Sequence, residues 1–134
     1  MKKYLLDTNI CIYYLNGKFS LDTKIEEIGL DNCFVSEITI AELKFGAENS
    51  LYVERNRQVV SSFQSKIQII PIFGALDFYA KEKSRLRKSG ISVDEFDLLI
   101  GATAVTNGLI MVTNNQSHFR VIDNIEIADW TVKV

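Results

Sequence analysis

Short apolar runs alternate along the chain with longer segments that have the periodicity of amphipathic helices. The runs predict strands at residues 3–7, 33–36, 66–71 and 109–112, with a short edge strand at 124–129. The segments between them have roughly the length, about 10–15 residues, of helices that connect parallel strands. Because such connections are right-handed, the helices cover both faces of the sheet. The sequence therefore predicts an α/β fold with a central, mainly parallel β-sheet flanked by helices on both faces.

Residues that commonly begin or end a helix mark the predicted helix boundaries. Thr8 is predicted to cap the first helix, which ends at Asn16-Gly17, and Gly90 is predicted to close the longest one. No long linker or internal repeat interrupts the pattern, so we predict a single domain over residues 1–134. The predicted helices cover residues 8–15, 21–30, a segment from 36 to Gly46 that contains Glu42, and residues 55–66, 75–89 and 94–106.

The composition narrows the class of protein. The chain has 134 residues, of which 47% are apolar, and this is enough for one domain with a buried core. With a net charge of −2 there is no overall basic field, so nucleic acid has to be bound by a local patch or through a metal ion. The apolar runs are too short for a signal peptide or a membrane span, which predicts a cytoplasmic protein without membrane segments. Cys11 and Cys33 lie in apolar patterns and are expected to be buried free thiols.

Three carboxylates stand where the predicted fold delivers side chains to one end of the sheet. Asp7 ends the first strand, Glu42 lies one or two turns into the helix after the second, and Asp97 opens the most apolar helix. Ligands of open α/β sheets bind outside the carboxyl ends of the strands. Carboxylates without thiolate or imidazole partners suit Mg²⁺ or Mn²⁺, which can activate water against a phosphodiester. Asp94, three residues before Asp97, is a fourth candidate because both can share one helical face.

The residues alone leave structural interpretations of these positions open. Asp7 can belong to a helix-capping turn, Glu42 can be an exposed helix residue, and Asp97 can favour its helix by complementing the macrodipole in the first turn. Thr113 and Asn115 follow the last clear strand and can hydrogen-bond a metal-bound water or a phosphate oxygen. An Asn-Asn pair at the same place also favours a simple turn.

Several blocks of sequence occur together in an order that is typical of one known family. They are residues 4–13, which contain Leu-Asp-Thr-Asn, then 35–43, 97–100 and 112–115, with shorter matches at 119–121 and 129–130. In these blocks the chain resembles the PIN-domain ribonucleases, specifically the VapC-type toxins of bacterial toxin–antitoxin pairs. The match extends over essentially the whole chain, and the blocks together are specific.

The resemblance implies a PIN fold and a Mg²⁺- or Mn²⁺-dependent endoribonuclease, with tRNA, often the anticodon region of the initiator, as the substrate. Asp7, Glu42 and Asp97 match the family's acidic metal-binding residues, and Thr8 and Thr113 match hydroxyls found near the metal. The resemblance also implies a homodimer, a cognate VapB-type antitoxin and a larger hetero-oligomer of the two. The antitoxin is expected to place a basic side chain in the acidic pocket.

Two positions depart from the family pattern. Many PIN domains have an acid where Asn115 stands, and toxins with Thr-Asn-Asn often have one where His118 stands. A three-carboxylate site is therefore expected, and the number of metal ions stays open. His118 is the single histidine and is expected to be structural or solvated rather than catalytic. The departures support an alternative function, a catalytically silent PIN module that binds RNA or a protein partner.

The sequence gives only weak indications of which surfaces bind RNA or a protein partner. Lys83 and Arg120 are the candidate RNA-binding residues, although a charged helix face that contacts only solvent has the same pattern. Further basic residues of the predicted 75–89 helix are Lys81, Arg85, Arg87 and Lys88. For the aromatics Tyr13, Tyr14 and Phe45, core packing is the default expectation. An apolar stripe of Tyr52, Val59, Val60 and Phe63 is suited either to a partner's helix or to the core.

Overall fold

A computed structural model describes residues 2–132, so that Met1, Lys133 and Val134 of the predicted domain lie outside the described residues. Within them, five strands alternate with seven α-helices. The elements in chain order are β1 (Tyr4–Leu6), α1 (Thr8–Leu15), α2 (Leu21–Ile28), β2 (Cys33–Ser36), α3 (Glu37–Glu48), α4 (Val53–Lys66), β3 (Gln68–Ile70), α5 (Leu76–Lys88), α6 (Glu95–Thr106), β4 (Ile110–Val112), α7 (Gln116–Phe119) and β5 (Ile127–Ala128).

The strands form one sheet in the order β3-β2-β1-β4-β5, and every pairing between neighbours is parallel. The chain first builds outward from β1 through β2 to β3, and then returns to add β4 and β5 on the other side of β1. The strand order therefore reverses between β1 and β4. In open α/β sheets a crevice for ligands forms at this point, outside the carboxyl ends of the strands.

Each face of the sheet carries its own hydrophobic core, because neighbouring residues of a strand point to opposite faces. In β1, Leu6 packs with residues of α1 to α4 on one face, whereas Leu5 packs with residues of α5, α6 and α7 on the other. Both side chains are fully buried. The predicted α/β fold, with a parallel sheet and helices on both faces, is confirmed. Cys11 and Cys33 are buried and unbonded, as expected.

Several local predictions are wrong. The N-cap of α1 is Asp7 and not Thr8, which is the first residue of the helix. The short helix α7 was not predicted, since the Asn-Asn pair suggested only a turn. The apolar stripe divides, because Val60 and Phe63 are in the core whereas Tyr52 and Val59 are exposed.

Gly101 allows α6 to pack closely against the segment that follows α7. A Cβ built on Gly101 would lie 2.4 Å from Ile122 Cδ1, closer than such atoms approach one another in proteins. Glycine has a low helix propensity, but its lack of a side chain allows α6, which carries Asp97, to pack directly against residues 119–125. No helix within residues 2–132 has the length and hydropathy needed to cross a membrane.

Candidate active site

Asp7 lies at the carboxyl end of β1, where the strand order reverses. Its backbone N–H donates to Val112 O of β4, so the two neighbouring strands end side by side. Its side chain is almost completely buried and caps α1, with Oδ1 accepting from Thr8 N at 2.8 Å. The structural interpretation of Asp7 as a cap and its placement in the crevice are therefore both correct. The cap fixes the carboxylate at the carboxyl end of β1.

A second hydrogen bond holds the other oxygen of Asp7. Thr113 Oγ1, at the end of β4, donates to Asp7 Oδ2 at 2.8 Å, and the same hydroxyl accepts from Asn115 N at 2.9 Å. Since a hydroxyl has a single proton, the contact with Asn115 N orients that proton toward Asp7. Asn115 thus contributes through its backbone.

Glu42 is brought to the same crevice by α3. Its Oε1 lies 2.7 Å from Thr8 Oγ1, which is also 3.0 Å from Thr39 Oγ1. Because an ionised carboxylate only accepts, Thr8 donates to Glu42 and accepts from Thr39. Thr39, one turn before Glu42 on α3 and fully buried, is a site residue that the sequence analysis missed. Its spacing of three residues from Glu42 was the available signal.

Asp97 reaches the site from the first turn of α6. Asp94 is the N-cap of that helix, and its Oδ1 accepts from Phe96 N at 3.0 Å and from Asp97 N at 3.2 Å. Asp94 is therefore engaged in capping. His118 lies on α7 with its Nδ1 3.2 Å from Asp97 Oδ2. The sequence analysis treated His118 as structural or solvated, and the structure instead places it against one of the three acids.

Burial and the charges of neighbouring acids raise the pKa values of all three carboxylates. Burial raises the pKa of Asp7 to about 6, with further contributions from the charges of Asp97 and Glu42, against the opposing hydrogen bonds from Thr113 and Thr8. The pKa of Glu42 is raised by burial and by Asp97, and that of Asp97 by burial and by Asp94. The three acids are therefore close enough to disfavour one another's ionisation. A bound cation would remove this penalty.

The donor set fits a hydrated divalent cation. Within residues 2–132 there is no group of three or more His, Cys, Asp or Glu side chains arranged to hold a metal ion by themselves. Mg²⁺ commonly binds through one or two carboxylates and keeps several waters or takes phosphate oxygens, so it needs no complete cage. Hard carboxylate oxygens that repel one another in a partly buried crevice are suitable ligands for such an ion.

Two of the predicted basic residues near the site are already paired. Lys83 Nζ lies 2.8 and 2.9 Å from the two carboxylate oxygens of Glu95, on the first turn of α6. Arg85 forms two hydrogen bonds of 2.7 Å with Glu82 and donates to Val121 O. Arg85 therefore ties α5 to the segment after α7 and is not free for RNA. Arg120 is exposed at the end of α7.

Comparison with known proteins gives the same fold and order of segments. The PIN domain family model matches residues 4–124. The chain is 33% identical over 132 residues to the tRNA(fMet)-specific endonuclease VapC of Shigella flexneri, covering 98% of this chain and 100% of the relative. It is 36% identical over 138 residues to ribonuclease VapC2 of Haemophilus influenzae, covering 97% and 99%. This chain belongs to the PIN-domain family, among the VapC ribonucleases.

The structural likeness extends over the whole fold. The crystal structure of DNA-bound VapBC from Salmonella typhimurium matches with a TM-score of 0.89 at 33% identity, covering 97% of this chain and 99% of that one. VapBC2 from Rickettsia felis, bound to a DNA fragment from its promoter, matches with a TM-score of 0.86 at 30% identity, covering 95% and 98%. The PIN fold predicted from the sequence is thereby confirmed.

An apolar groove adjoins the acidic crevice of this PIN domain. It has a volume of about 230 Å³ and lies between α1, α3 and α4, with Glu42 at its edge. Ile12 and Val59 line it and are 40% and 37% exposed. Phe45 and Tyr52, on and near the same helices, are 69% and 62% exposed. The default expectation of core packing is wrong for Phe45.

Proposed function

We propose that this PIN-domain protein is a metal-dependent endoribonuclease, the toxin of a VapBC-type toxin–antitoxin pair. The observation that carries the proposal is the convergence of Asp7, Glu42 and Asp97 at the reversal point of the sheet. Their pKa values are raised by burial and by the charges of neighbouring acids. Relatives with about one third identity over almost their full length are named as ribonucleases and endonucleases, which supports the same chemistry here.

In this proposal Asp7, Glu42 and Asp97 hold Mg²⁺ or Mn²⁺. When bound, such an ion lowers the pKa of water and stabilises negative charge on a phosphodiester oxygen. The protein's own hydrogen bonds orient the carboxylates that would hold the ion. Thr113 and the backbone N–H of Thr8 fix the two oxygens of Asp7, and the Thr8 hydroxyl fixes Glu42. Asp94 supports Asp97 indirectly, because it caps the helix that carries it.

The proposed substrate is RNA, with tRNA as the first choice. Two relatives are named as tRNA(fMet)-specific endonucleases, so the initiator tRNA, cut in its anticodon region, is the specific proposal. Lys83 and Arg120 are the proposed phosphate contacts. The Lys83–Glu95 pair is nearly half exposed, so it contributes little to stability, and an RNA phosphate can replace Glu95 as the partner of Lys83.

The proposed protein partner is a VapB-type antitoxin that uses the apolar groove. An apolar helix of the antitoxin would cover Ile12 and Val59, and a basic side chain beyond it would reach Glu42 at the groove's edge. Such a cation would offset the repulsion among the acids in place of the metal. The matching solved structures are of VapBC complexes, which supports a hetero-oligomer of toxin and antitoxin. A homodimer of the toxin within it is proposed from the family resemblance.

The test is cleavage of total tRNA by the antitoxin-free protein with Mn²⁺ or with EDTA, beside Asp7→Asn. We expect fragments that require Mn²⁺ and that the variant does not produce, and sequencing their ends identifies the tRNA and the bond cut. Cleavage that persists undiminished in Asp7→Asn or in EDTA would refute the proposed metal site. Thermal melting of both proteins confirms that the comparison is between folded molecules.

The second candidate function is a catalytically silent PIN module that binds RNA or a partner. Asn115 and His118 favour it, since neither supplies a further acid at the crevice. This function predicts intact RNA at saturating Mn²⁺ together with retained binding of RNA or antitoxin. Calorimetry with Mn²⁺ alone separates the candidates, because a silent module has no need of the metal.

A further inference from the structure

The three acids of the proposed site share one feature: each accepts a hydrogen bond from a side chain of another element. Thr113, directly after β4, donates to Asp7, and Thr8 of α1 donates to Glu42. For Asp97 that position is occupied by His118 of α7, with 3.2 Å between Nδ1 and Oδ2. Two of these donors are hydroxyls, and the third is the single imidazole of the chain.

The geometry determines which nitrogen of His118 carries the proton. An ionised Asp97 only accepts hydrogen bonds, so the proton between the two groups belongs to Nδ1. Nε2 lies on the far side of the ring, and the His118 side chain is 56% exposed. Among the described residues, no protein group forms a hydrogen bond with Nε2.

Within the part of the chain that the structure describes, Asp97 has no hydroxyl donor of the kind that Asp7 and Glu42 have, and the contact with His118 takes that place. Asp94, whose charge repels it, stands at the start of the same helix. Within the described residues no Lys or Arg side chain forms an ion pair with Asp7, Glu42 or Asp97. Among residues 2–132, the contact with His118 is the one hydrogen bond that a side-chain nitrogen makes with these acids.

We propose that His118 is a positioning residue that holds Asp97 through Nδ1–H, as Thr113 holds Asp7 and Thr8 holds Glu42. The inference rests on the proposed function, because it assumes that Asp97 is a metal ligand. His118 then acts on the ion only through Asp97 and contributes no ligand of its own. Groups that orient ligands from behind in this way typically change metal affinity by about 10–100-fold when removed.

Three substitutions separate positioning from direct ligation. His118→Asn keeps an N–H near the position of Nδ1, His118→Gln moves the polar group out to the position of Nε2, and His118→Leu has neither. In calorimetry with Mn²⁺ alone, we expect His118→Leu and His118→Gln to bind the ion about tenfold or more weakly than the wild type. His118→Asn should bind it within about threefold of the wild-type affinity. An unchanged affinity in His118→Leu overturns the proposal. If His118→Gln keeps the affinity for Mn²⁺ and His118→Asn loses it, the proposal is also overturned. That result would assign His118 as a metal ligand through Nε2.

Cleavage kinetics give a second readout. If His118 only positions Asp97, saturating Mn²⁺ restores the kcat of His118→Leu to within about threefold of wild type, because the defect lies in metal binding. A kcat that stays depressed at saturating Mn²⁺ overturns the proposal, since His118 then takes part in the reaction or contacts RNA.

A third readout needs neither metal nor activity and therefore stands even if the proposed function fails. Because the chain has one histidine, its imidazole nitrogens can be observed by NMR without ambiguity. In metal-free protein, at a pH where the ring is neutral, we expect the proton on Nδ1, with this preference lost in Asp97→Ala. A proton on Nε2 in the wild type, or the same preference in Asp97→Ala, overturns the proposal regardless of whether RNA is cut.

Discussion

Thr113 Oγ1 donates a hydrogen bond of 2.8 Å to Asp7 Oδ2, joining two residues that are 106 positions apart in the chain. The contact exists because β1 and β4 are neighbours in the sheet and end at the same level, with Leu6 paired with Val112. It links the first block of the family pattern to the block that begins at the end of β4. Both residues are buried, so the hydrogen bond is shielded from water.

Thr113→Val tests this contact directly. Valine has nearly the same shape but leaves Asp7 Oδ2 and Asn115 N without a partner, so we expect RNA cleavage to fall by about 10–100-fold. Thr113→Ser keeps the hydroxyl and should stay within about threefold of wild type. Initial cleavage rates at fixed Mn²⁺ provide the measurement. Wild-type rates in the valine variant would show that the position of Asp7 does not depend on Thr113.

Asp7→Asn should abolish cleavage while making the metal-free protein more stable at neutral pH. Burial raises the pKa of Asp7 from 3.8 to about 6, so folding favours its protonated form. Its contribution to stability is fully present below pH 3.8 and is lost as the pH rises through 6, a change on the order of 3 kcal/mol. Asparagine has no such penalty, and its amide can donate to the Thr113 hydroxyl.

Urea unfolding of wild type and Asp7→Asn without divalent metal, from pH 4.5 to 7.5, measures this effect. The variant should be more stable by about 1–3 kcal/mol at the upper end, and the difference should shrink toward the lower end. Glu42 and Asp97 titrate in both proteins, and because they repel Asp7, the difference reports the loss of the Asp7 charge together with their relief from that repulsion. A variant that is less stable than wild type at pH 7.5 would contradict the prediction. Added Mn²⁺ should stabilise the wild type selectively.

Gly101→Ala should destabilise the protein although alanine is the better helix former. The gain of about 1 kcal/mol in helix propensity is opposed by overpacking, which commonly costs about 1–3 kcal/mol. The added methyl group meets Ile122 Cδ1 at 2.4 Å, so Ile122→Val, which removes that atom, should relieve the cost. Urea unfolding of both single variants and the double variant gives their coupling. If Gly101→Ala alone is more stable than the wild type, α6 has enough space for the added methyl group and the prediction is wrong.

Glu82→Gln should lower stability without affecting the carboxylate site. Glu82 is buried, and accepts hydrogen bonds from Arg85 and from Asp123 N. Glutamine cannot accept on both ends, so we expect a loss of about 1–3 kcal/mol at neutral pH. The hydrogen bond from Arg85 lowers the pKa of Glu82, so this contribution is present above its unfolded pKa and disappears as the pH falls through the folded value. Asp77→Asn, exposed on the same helix, is the matched control in urea unfolding.

Val59→Glu should weaken binding of the cognate antitoxin. Val59 lines the apolar groove, and a carboxylate there would be desolvated by an apolar helix and repelled by nearby Glu42. We expect a loss of affinity of about tenfold or more in calorimetry with the antitoxin. Leu76→Glu is a matched control, because Leu76 is 39% exposed against 37% for Val59 but lies on α5, which packs on the opposite face of the sheet. If Val59→Glu and Leu76→Glu bind the antitoxin with equal affinity, the antitoxin does not dock in the apolar groove.

The strands and the longer helices could be predicted from the sequence because each depends on the pattern of apolar and polar residues within its own segment. The short apolar run Tyr4-Leu5-Leu6, which stops at Asp7 just ahead of a helical pattern, favours a buried strand. The position of Asp7 at its end follows from the same pattern. Helix α7 was missed because four residues are too few to produce a helical period. The exposure of Phe45 was missed because it depends on which side of α3 the rest of the chain covers.

The sequence by itself determined the fold class, the order of the strands and of helices α1 to α6, and the three acids at candidate positions, since each depends on residues near one another in the chain. Only the tertiary structure decided how those acids are held. The hydroxyls of Thr8 and Thr113 and the imidazole of His118 reach their carboxylates across gaps of 34, 106 and 21 residues. Such contacts depend on strand order and helix packing, which bring distant segments together at one end of the sheet. The role of His118 is therefore visible only in the folded molecule.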